Sequence, residues 1–258
     1  MSPKNNSHRA MNTFFDINRL PPNWGILVFP ISMSRISNSG QNAKACFEYL
    51  KEINKKISVP KVGVTFVYGD YLYFHSSEEA RILKQRFQEL VIDHKNAIYK
   101  LLTSAEGKKH FQITPAFTFA TWNQLYLWTD NFKAYMDRLI KISQTDKELQ
   151  KCLKDDAKAL GRELSNDQKL FFLEESLIAY LVAKGKIKIY NEYVHGRENW
   201  MLWCYPGKPP KTQVYLFQKN IFNLKMSENK FQDCPQYDLS NHVLYDCQNV
   251  DWNTYKLQ

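Results

Sequence analysis

The chain has 258 residues, with 35 Lys and Arg against 26 Asp and Glu, a formal net charge of +9. That length can bury a sizeable core, and the basic balance favours an anionic partner, nucleic acid before a membrane surface. Five scattered cysteines (Cys46, Cys152, Cys204, Cys234, Cys247), never spaced C-x-x-C, fit free thiols in a reducing compartment better than a disulfide frame or a zinc site. With no signal peptide and no apolar run long enough to span a bilayer, the expected location is cytoplasmic.

Residues 1–22 are polar and end in Pro21-Pro22, which predicts a flexible arm. Ile26 to Ile31 is a continuous apolar run, short and rich in branched and aromatic residues, as in a strand covered on both faces. It ends at Ser32 and passes through a Ser/Asn/Gly loop into a helical segment, Ala43 to Lys56. Open α/β sheets bind ligands at the carboxyl ends of their strands, which makes Ser32 the first candidate site residue. Serine is also a common turn former, so position alone leaves both readings open. Lys61 to Tyr68 reads as a second buried strand closed by Gly69-Asp70. Ser76 to Glu79 is a capping box that starts a helix running to about Ser104. Leu83, Phe87, Leu90, Ile98 and Leu101 form its apolar stripe. Arg81, Lys84, Arg86, Lys95 and Lys100 lie off that stripe with Glu89 and Asp93, a basic patch or an ordinary solvated face.

Lys109 to Ile113 is expected as a third strand, next to Thr114-Pro115. Helices follow over about Thr121 to Ile142 and Lys147 to Leu164. Ser165-Asn166-Asp167 caps another, Gln168 to about Ala183, which carries Phe171, Glu174, Glu175 and Ile178. Lys186 to Tyr190, Trp200 to Tyr205 and Thr212 to Phe217 read as strands, the second halted by Pro206-Gly207. Strands alternating with helices predict an α/β fold, a single Rossmann-like domain with a mainly parallel sheet over residues 23–220. Residues 121–183 form a helical layer or insertion. Residues 221–258 are expected as an extension packed on the same domain.

Several chemistries are absent. There is no G-x-G-x-x-G, no G-x-x-x-x-G-K-[ST] and no H-E-x-x-H. There is no G-x-S-x-G elbow, and none of the six histidines is placed as a base for Ser32. Lys225-Met226-Ser227 is a chance match to a synthetase signature loop, because its partner element is missing. Three pieces remain: Ser32 after the first strand, Glu175 on an amphipathic helix, and Tyr205 closing a late strand. A carboxylate among bulky apolar residues is paired or functional unless it simply faces solvent beside Glu174. Tyr205 at a strand end is equally a packing residue.

Together these pieces resemble the tRNA-dependent cyclodipeptide synthases, enzymes similar in fold to the catalytic domain of class I aminoacyl-tRNA synthetases. The resemblance rests on Val28-Phe-Pro-Ile-Ser32, Phe171-Phe-Leu-Glu-Glu175 and Trp203-Cys-Tyr205-Pro206 in that order, and it covers about residues 25–206. Arg35 and Pro206 stand where the family divides, and they match its XYP branch. The resemblance implies an ATP-independent aminoacyltransferase without cofactor or metal, whose substrates are two aminoacyl-tRNAs. No membrane and no obligate protein partner are expected. Ser32 would take the acyl group as an ester. A second aminoacyl-tRNA would supply the attacking amine, and the dipeptidyl-enzyme would close to a diketopiperazine.

Glu175 would orient the ammonium and take its proton, and Tyr205 would serve the reacting carbonyl. Arg35, Phe171, Val28, Pro30, Ile178 and Trp203 would meet the aminoacyl group. The family's tyrosine is changed to Phe at 171, which removes a hydrogen-bonding hydroxyl. The helix after the second strand would carry the first tRNA on Lys95 and Lys100, extended by Arg81, Lys84 and Arg86. Two other classes compete: a non-catalytic tRNA- or RNA-binding module, and a serine acyltransferase or esterase for a small activated ester.

Overall fold

Strand β1 (Gly25–Ile31) pairs in parallel with β2 (Val62–Tyr68) on one side and β4 (Trp200–Tyr205) on the other. This burial on both edges and both faces explains why its sequence is apolar without alternation. The computed structural model describes residues 25–32, 35–37, 40–55, 62–69, 78–111, 116–122, 131–184, 186–187, 200–224, 236–241 and 243–245. β3 (Ala116–Thr121), β5 (Gln236–Asp238) and β6 (Val243–Tyr245) complete a six-stranded sheet of order β3-β2-β1-β4-β5-β6. Only β6 runs antiparallel to its neighbour. The α/β class and the mainly parallel Rossmann-like sheet agree with the sequence reading.

The strand order turns outward from β1 in both directions, so the switch point lies between β1 and β4. Ligands of such sheets bind beyond the strand ends at that place. The β1–β4 ladder runs from Gly25↔Trp200 to Val28↔Trp203 and goes no further. Pro30 follows that last rung, where the N–H it lacks has no ladder bond to make with β4. The two strands therefore end as separate tips, with Ser32 after one and Tyr205 closing the other.

One face of the sheet packs on α1 (Ala43–Asn54), α2 (Glu78–Thr103) and α3 (Ala105–His110) through Leu27, Phe29, Ile31, Phe47, Leu50, Phe87 and Ile98. The opposite face carries α4 (Phe132–Thr145), α5 (Lys147–Ala159), α6 (Asn166–Ala183) and α7 (Lys211–Lys219). Val28, Val67, Trp203, Leu173, Leu177 and Val214 belong to that second layer. α6 starts at the cap its sequence predicts over Ser165–Asp167, and the structure completes it as a capping box between Ser165 and Gln168. From Phe172 to Val182 every residue except Glu175 is buried.

Three assignments need correction. Lys109 and His110 end helix α3, whose N-cap Ser104 accepts from Gly107 N–H, and the third strand is Ala116–Thr121. Pro115 therefore precedes the strand rather than closing one. The helical stretch expected from about Thr121 has Trp122 helical directly after β3, residues 123–130 lie outside the described residues, and helix resumes at Phe132 after Asn131. Thr212–Phe217 belongs to helix α7 and not to a strand. Asp156 on α5 caps that helix, accepting from Lys211 N, Thr212 N and Thr212 Oγ1 at 2.7, 2.9 and 2.6 Å. All six residues are buried, so the sequence offers no polar face to reveal a helical period. Lys186 and Ile187 form a bend bonded to Leu181 O. Residues 1–24, 70–77, 188–199 and 225–235, which include the expected arm, Ser76 and the Lys-Met-Ser match, lie outside the described residues.

Candidate active site

Ser32 is held through its backbone before its side chain is considered. Its N–H donates to Gln41 Oε1 at 3.0 Å, and its carbonyl accepts from Arg35 N and Ile36 N at 3.1 Å each. The hydroxyl lies 3.3 Å from the same Gln41 oxygen and shares a hydrogen bond with the Tyr205 hydroxyl. Arg35 spans the two strand tips: its guanidinium donates to Pro206 O at 3.0 Å and lies 5.2 Å from the centre of the Tyr205 ring. That bond joins residues 171 apart in sequence.

Glu175, on α6, lies near enough to feel the Arg35 charge and for its own charge to reach Tyr205. It is the one partly accessible side chain in the buried run of that helix, and Phe171, one turn earlier, is partly accessible too. Burial pushes the Glu175 carboxyl up to about 7, against the pull of the Arg35 charge and with a further push from Asp156. Burial likewise holds the Tyr205 hydroxyl above its ordinary range, helped by the Glu175 charge and opposed by Arg35 and the Ser32 hydrogen bond. Tyr205 is thus a neutral donor, and Glu175 is poised to gain or lose a proton near neutrality. The two carboxylates do not form an exposed pair: Glu174 is 0 % exposed and Glu175 is only partly accessible.

Val28 and Trp203 are register partners across β1 and β4, and Ile178 is buried in the same cluster. Pro30 is buried, and its carbonyl accepts from Gln41 Nε2 at 2.5 Å. Phe171 meets Phe172 edge-on at 5.8 Å and packs at the margin of the same layer. Sequence reasoning missed two neighbours. Trp122 is buried with Val28, Val67, Ile178 and Trp203, and its indole Nε1 finds no hydrogen-bond partner among the described residues. Misplacing β3 hid it. Gln41 looked like one more polar loop residue, although it is 2 % exposed.

The basic residues of α2 divide. Arg86 and Lys100 are exposed. Lys95 is half-buried, with its ammonium 5.5 Å from the Tyr68 ring and 5.6 Å from the Phe119 ring. Arg81 and Lys84 lie in the helix, and their side chains are outside the described residues. Among the described residues no group of His, Cys, Asp and Glu is arranged to hold a metal ion, and no helix is long and apolar enough to cross a membrane. Cys46, Cys152 and Cys204 are buried and form no disulfide among the described residues.

No protein-family model and no curated protein matches the chain. Solved structures do. A cyclodipeptide synthase from Candidatus Glomeribacter gigasporarum, bound to Phe-tRNAPhe, superposes with a TM-score of 0.52 at 15% identity. The match covers 86% of this chain and 91% of that one. The chain has the fold of a cyclodipeptide synthase. A synthase from Fluoribacter dumoffii matches at a TM-score of 0.47 and 16% identity, over 81% of this chain and 87% of that one. A Mycobacterium tuberculosis protein, described as showing that cyclodipeptide synthetases are related to type I tRNA synthetases, matches at 0.48 and 11%, over 81% of each chain.

Proposed function

We propose that this chain is an ATP-independent cyclodipeptide synthase of the XYP kind that joins the amino acids of two aminoacyl-tRNAs through esters on Ser32. What supports the reading is that Arg35 bridges the tips of β1 and β4 beside Ser32 and Tyr205, with the Glu175 carboxylate near enough for its charge to reach Tyr205. In the first step Ser32 Oγ attacks the ester of one aminoacyl-tRNA. The Oγ–H proton passes to the departing 3′- or 2′-oxygen of the tRNA, so a neutral hydroxyl leaves. Glu175 and the hydroxyl of Tyr205 provide the path for that proton.

Atom balance sets the middle step and corrects the order expected from sequence. Were the second aminoacyl-tRNA to supply the amine, the dipeptide would end on tRNA and Ser32 would be free. A dipeptidyl ester on Ser32 instead requires the Ser32-bound amine to attack the second tRNA's ester. The new terminal amine then attacks the Ser32 ester, closing the six-membered ring and returning the proton to Oγ. An amine attacks only when neutral, and a carboxylate titrating near 7 suits both proton removals. Tyr205 donates toward the carbonyl oxygen that gains charge.

Val28, Ile178 and Trp203 are buried in one apolar cluster and Pro30 is buried just before Ser32, surroundings that suit an apolar aminoacyl side chain. Lys100 and Arg86 on α2, with Arg81 and Lys84 on the same helix, suit a phosphate backbone. Mass spectrometry of medium from cells overexpressing the chain tests the reading, with Ser32→Ala as the control. A cyclic dipeptide present with the parent and absent with the variant is the expected result. Equal product from both would refute it.

A further inference from the structure

Gln41 stands in the loop between β1 and α1, and its place there is set by its neighbour: Asn42 caps α1, its Oδ1 accepting from Ala45 N at 2.8 Å. The Gln41 side chain folds back to the end of β1. One oxygen, Oε1, receives both the Ser32 N–H and the Ser32 hydroxyl, and Nε2 donates to the Pro30 carbonyl two residues upstream. The Gln41 carbonyl in turn accepts from His94 Nε2 at 3.0 Å and from Cys46 Sγ at 3.5 Å. A carbonyl can only accept, so His94 carries its proton on Nε2, and its Nδ1 accepts from the Tyr68 hydroxyl at 2.8 Å. Burial lowers the His94 pKa to about 4, which keeps this tautomer neutral.

We infer that Gln41 is the positioning residue for the Ser32 hydroxyl, tying it to the rigid β1–α2 layer while leaving proton transfer to the opposite side. The inference rests on the reading of Ser32 as nucleophile. A primary amide accepts at one atom while donating at the next, and here both functions are used within three residues of β1 and its tip. Asn has the same groups but is one methylene short. Glu keeps the acceptor and loses the donor. Met keeps the length and loses both.

Two consequences follow for the chemistry. An amide oxygen is too weak a base to take the Oγ proton, so the hydroxyl turns its one hydrogen from Gln41 toward Tyr205 and Glu175 before that proton leaves. The Ser32 N–H is also committed to Gln41, which removes it from the donors that could meet the developing oxyanion. Among the described residues, Tyr205 and the Arg35 guanidinium are donors at the β4 tip.

The test is single-turnover transfer of a labelled amino acid from aminoacyl-tRNA to Ser32, measured against tRNA concentration with melting temperature alongside. Gln41→Met should slow acylation at saturating substrate by about 10²-fold, the scale of a roughly 1 Å misplacement, while half-saturation stays where it is. Gln41→Asn should be slowed similarly, and it serves if the Met variant does not fold. Gln41→Glu restores the acceptor for both Ser32 bonds and should recover acylation to within about tenfold of the parent. That rescue is not expected of a residue that only fills space. Parental rates in Met and Asn variants, or a Glu variant as slow as they are, would overturn the inference and leave the proposed function standing. A parent that takes no acyl group would overturn both.

Discussion

The two layers that flank the sheet treat their buried ionisable groups in opposite ways. On the α2 side Tyr68 and Cys46 are both linked to a neutral His94, which is bonded in turn to the backbone of Gln41. On the α6 side Glu175 is partly open to solvent, its carboxyl raised to about 7, with Arg35 and Tyr205 close enough to feel its charge. Burial acts on both layers. It drives the imidazole to its neutral form because the imidazolium is costly to bury, and it holds the carboxyl near balance because Arg35 offsets part of the cost. On the proposed reading the first layer is scaffold and the second is where protons move, with Ser32 held by one and served by the other.

The largest effect belongs to the residue shared by both layers. Ser32→Ala is expected to fold and to make no detectable cyclic dipeptide, because the ester route needs that oxygen. Acid-precipitable labelled aminoacyl-enzyme should vanish with it.

Glu175→Gln separates the reactive layer from the scaffold. Ser32 should still be acylated, while dipeptide formation falls by about 10²-fold or more, the scale of a lost general base. In the parent the rate of dipeptide formation should rise with pH through about 7, as the carboxylate forms, and then level off. A flat profile between pH 6 and 8 would take the base role away from Glu175.

On α2, the exposed pair Arg86 and Lys100 gives a cleaner test than Lys95, whose ammonium also packs over two rings. Arg86→Glu with Lys100→Glu should weaken tRNA binding and flatten its salt dependence, with little change in melting temperature. Binding as tight and as salt-sensitive as the parent's would move the tRNA to another face.

Stability against pH should show opposite signs for the two layers. The Glu175 carboxyl titrates at about 7 folded against 4.5 ordinarily, so the unfolded chain holds fewer protons in that window. Its contribution falls as pH rises through the window. His94 titrates at about 4 folded against 6.5 ordinarily, so its contribution falls as pH drops through that range. Relative to the parent, Glu175→Gln should gain melting temperature between pH 5 and 8. His94→Gln should lose less at pH 4.5 than at pH 7. Melting curves across that range check both.

The smallest effect is expected at Phe171. Because the ring is partly accessible, the hydroxyl of Phe171→Tyr can reach solvent or substrate, and stability should change by less than about 0.5 kcal/mol. A drop of several degrees in melting temperature would place the ring tip in closed core.

The sequence by itself was enough for the framework around the site. β1, β2, β4, the capped helix α6 and most of α2 are legible because each declares itself locally, as a short apolar run, a capping box or a helical stripe. Ser32, Glu175 and Tyr205 stand out because hydroxyls and carboxylates at the ends or in the middle of such elements break an apolar pattern. Local pattern misled where its period was erased. Thr212–Phe217 is buried on every side, so helix and strand read alike, and Asp156, 56 residues away, decides for the helix. Gln41 and His94 carried no signal at all. A polar loop residue and a histidine on a helix become a support for Ser32 only when the chain brings α2 against β1, because hydrogen bonds between distant residues leave no periodic trace. The same holds for the acidity of Glu175, which depends on how deeply α6 is buried and on Arg35 reaching across from the tip of another strand.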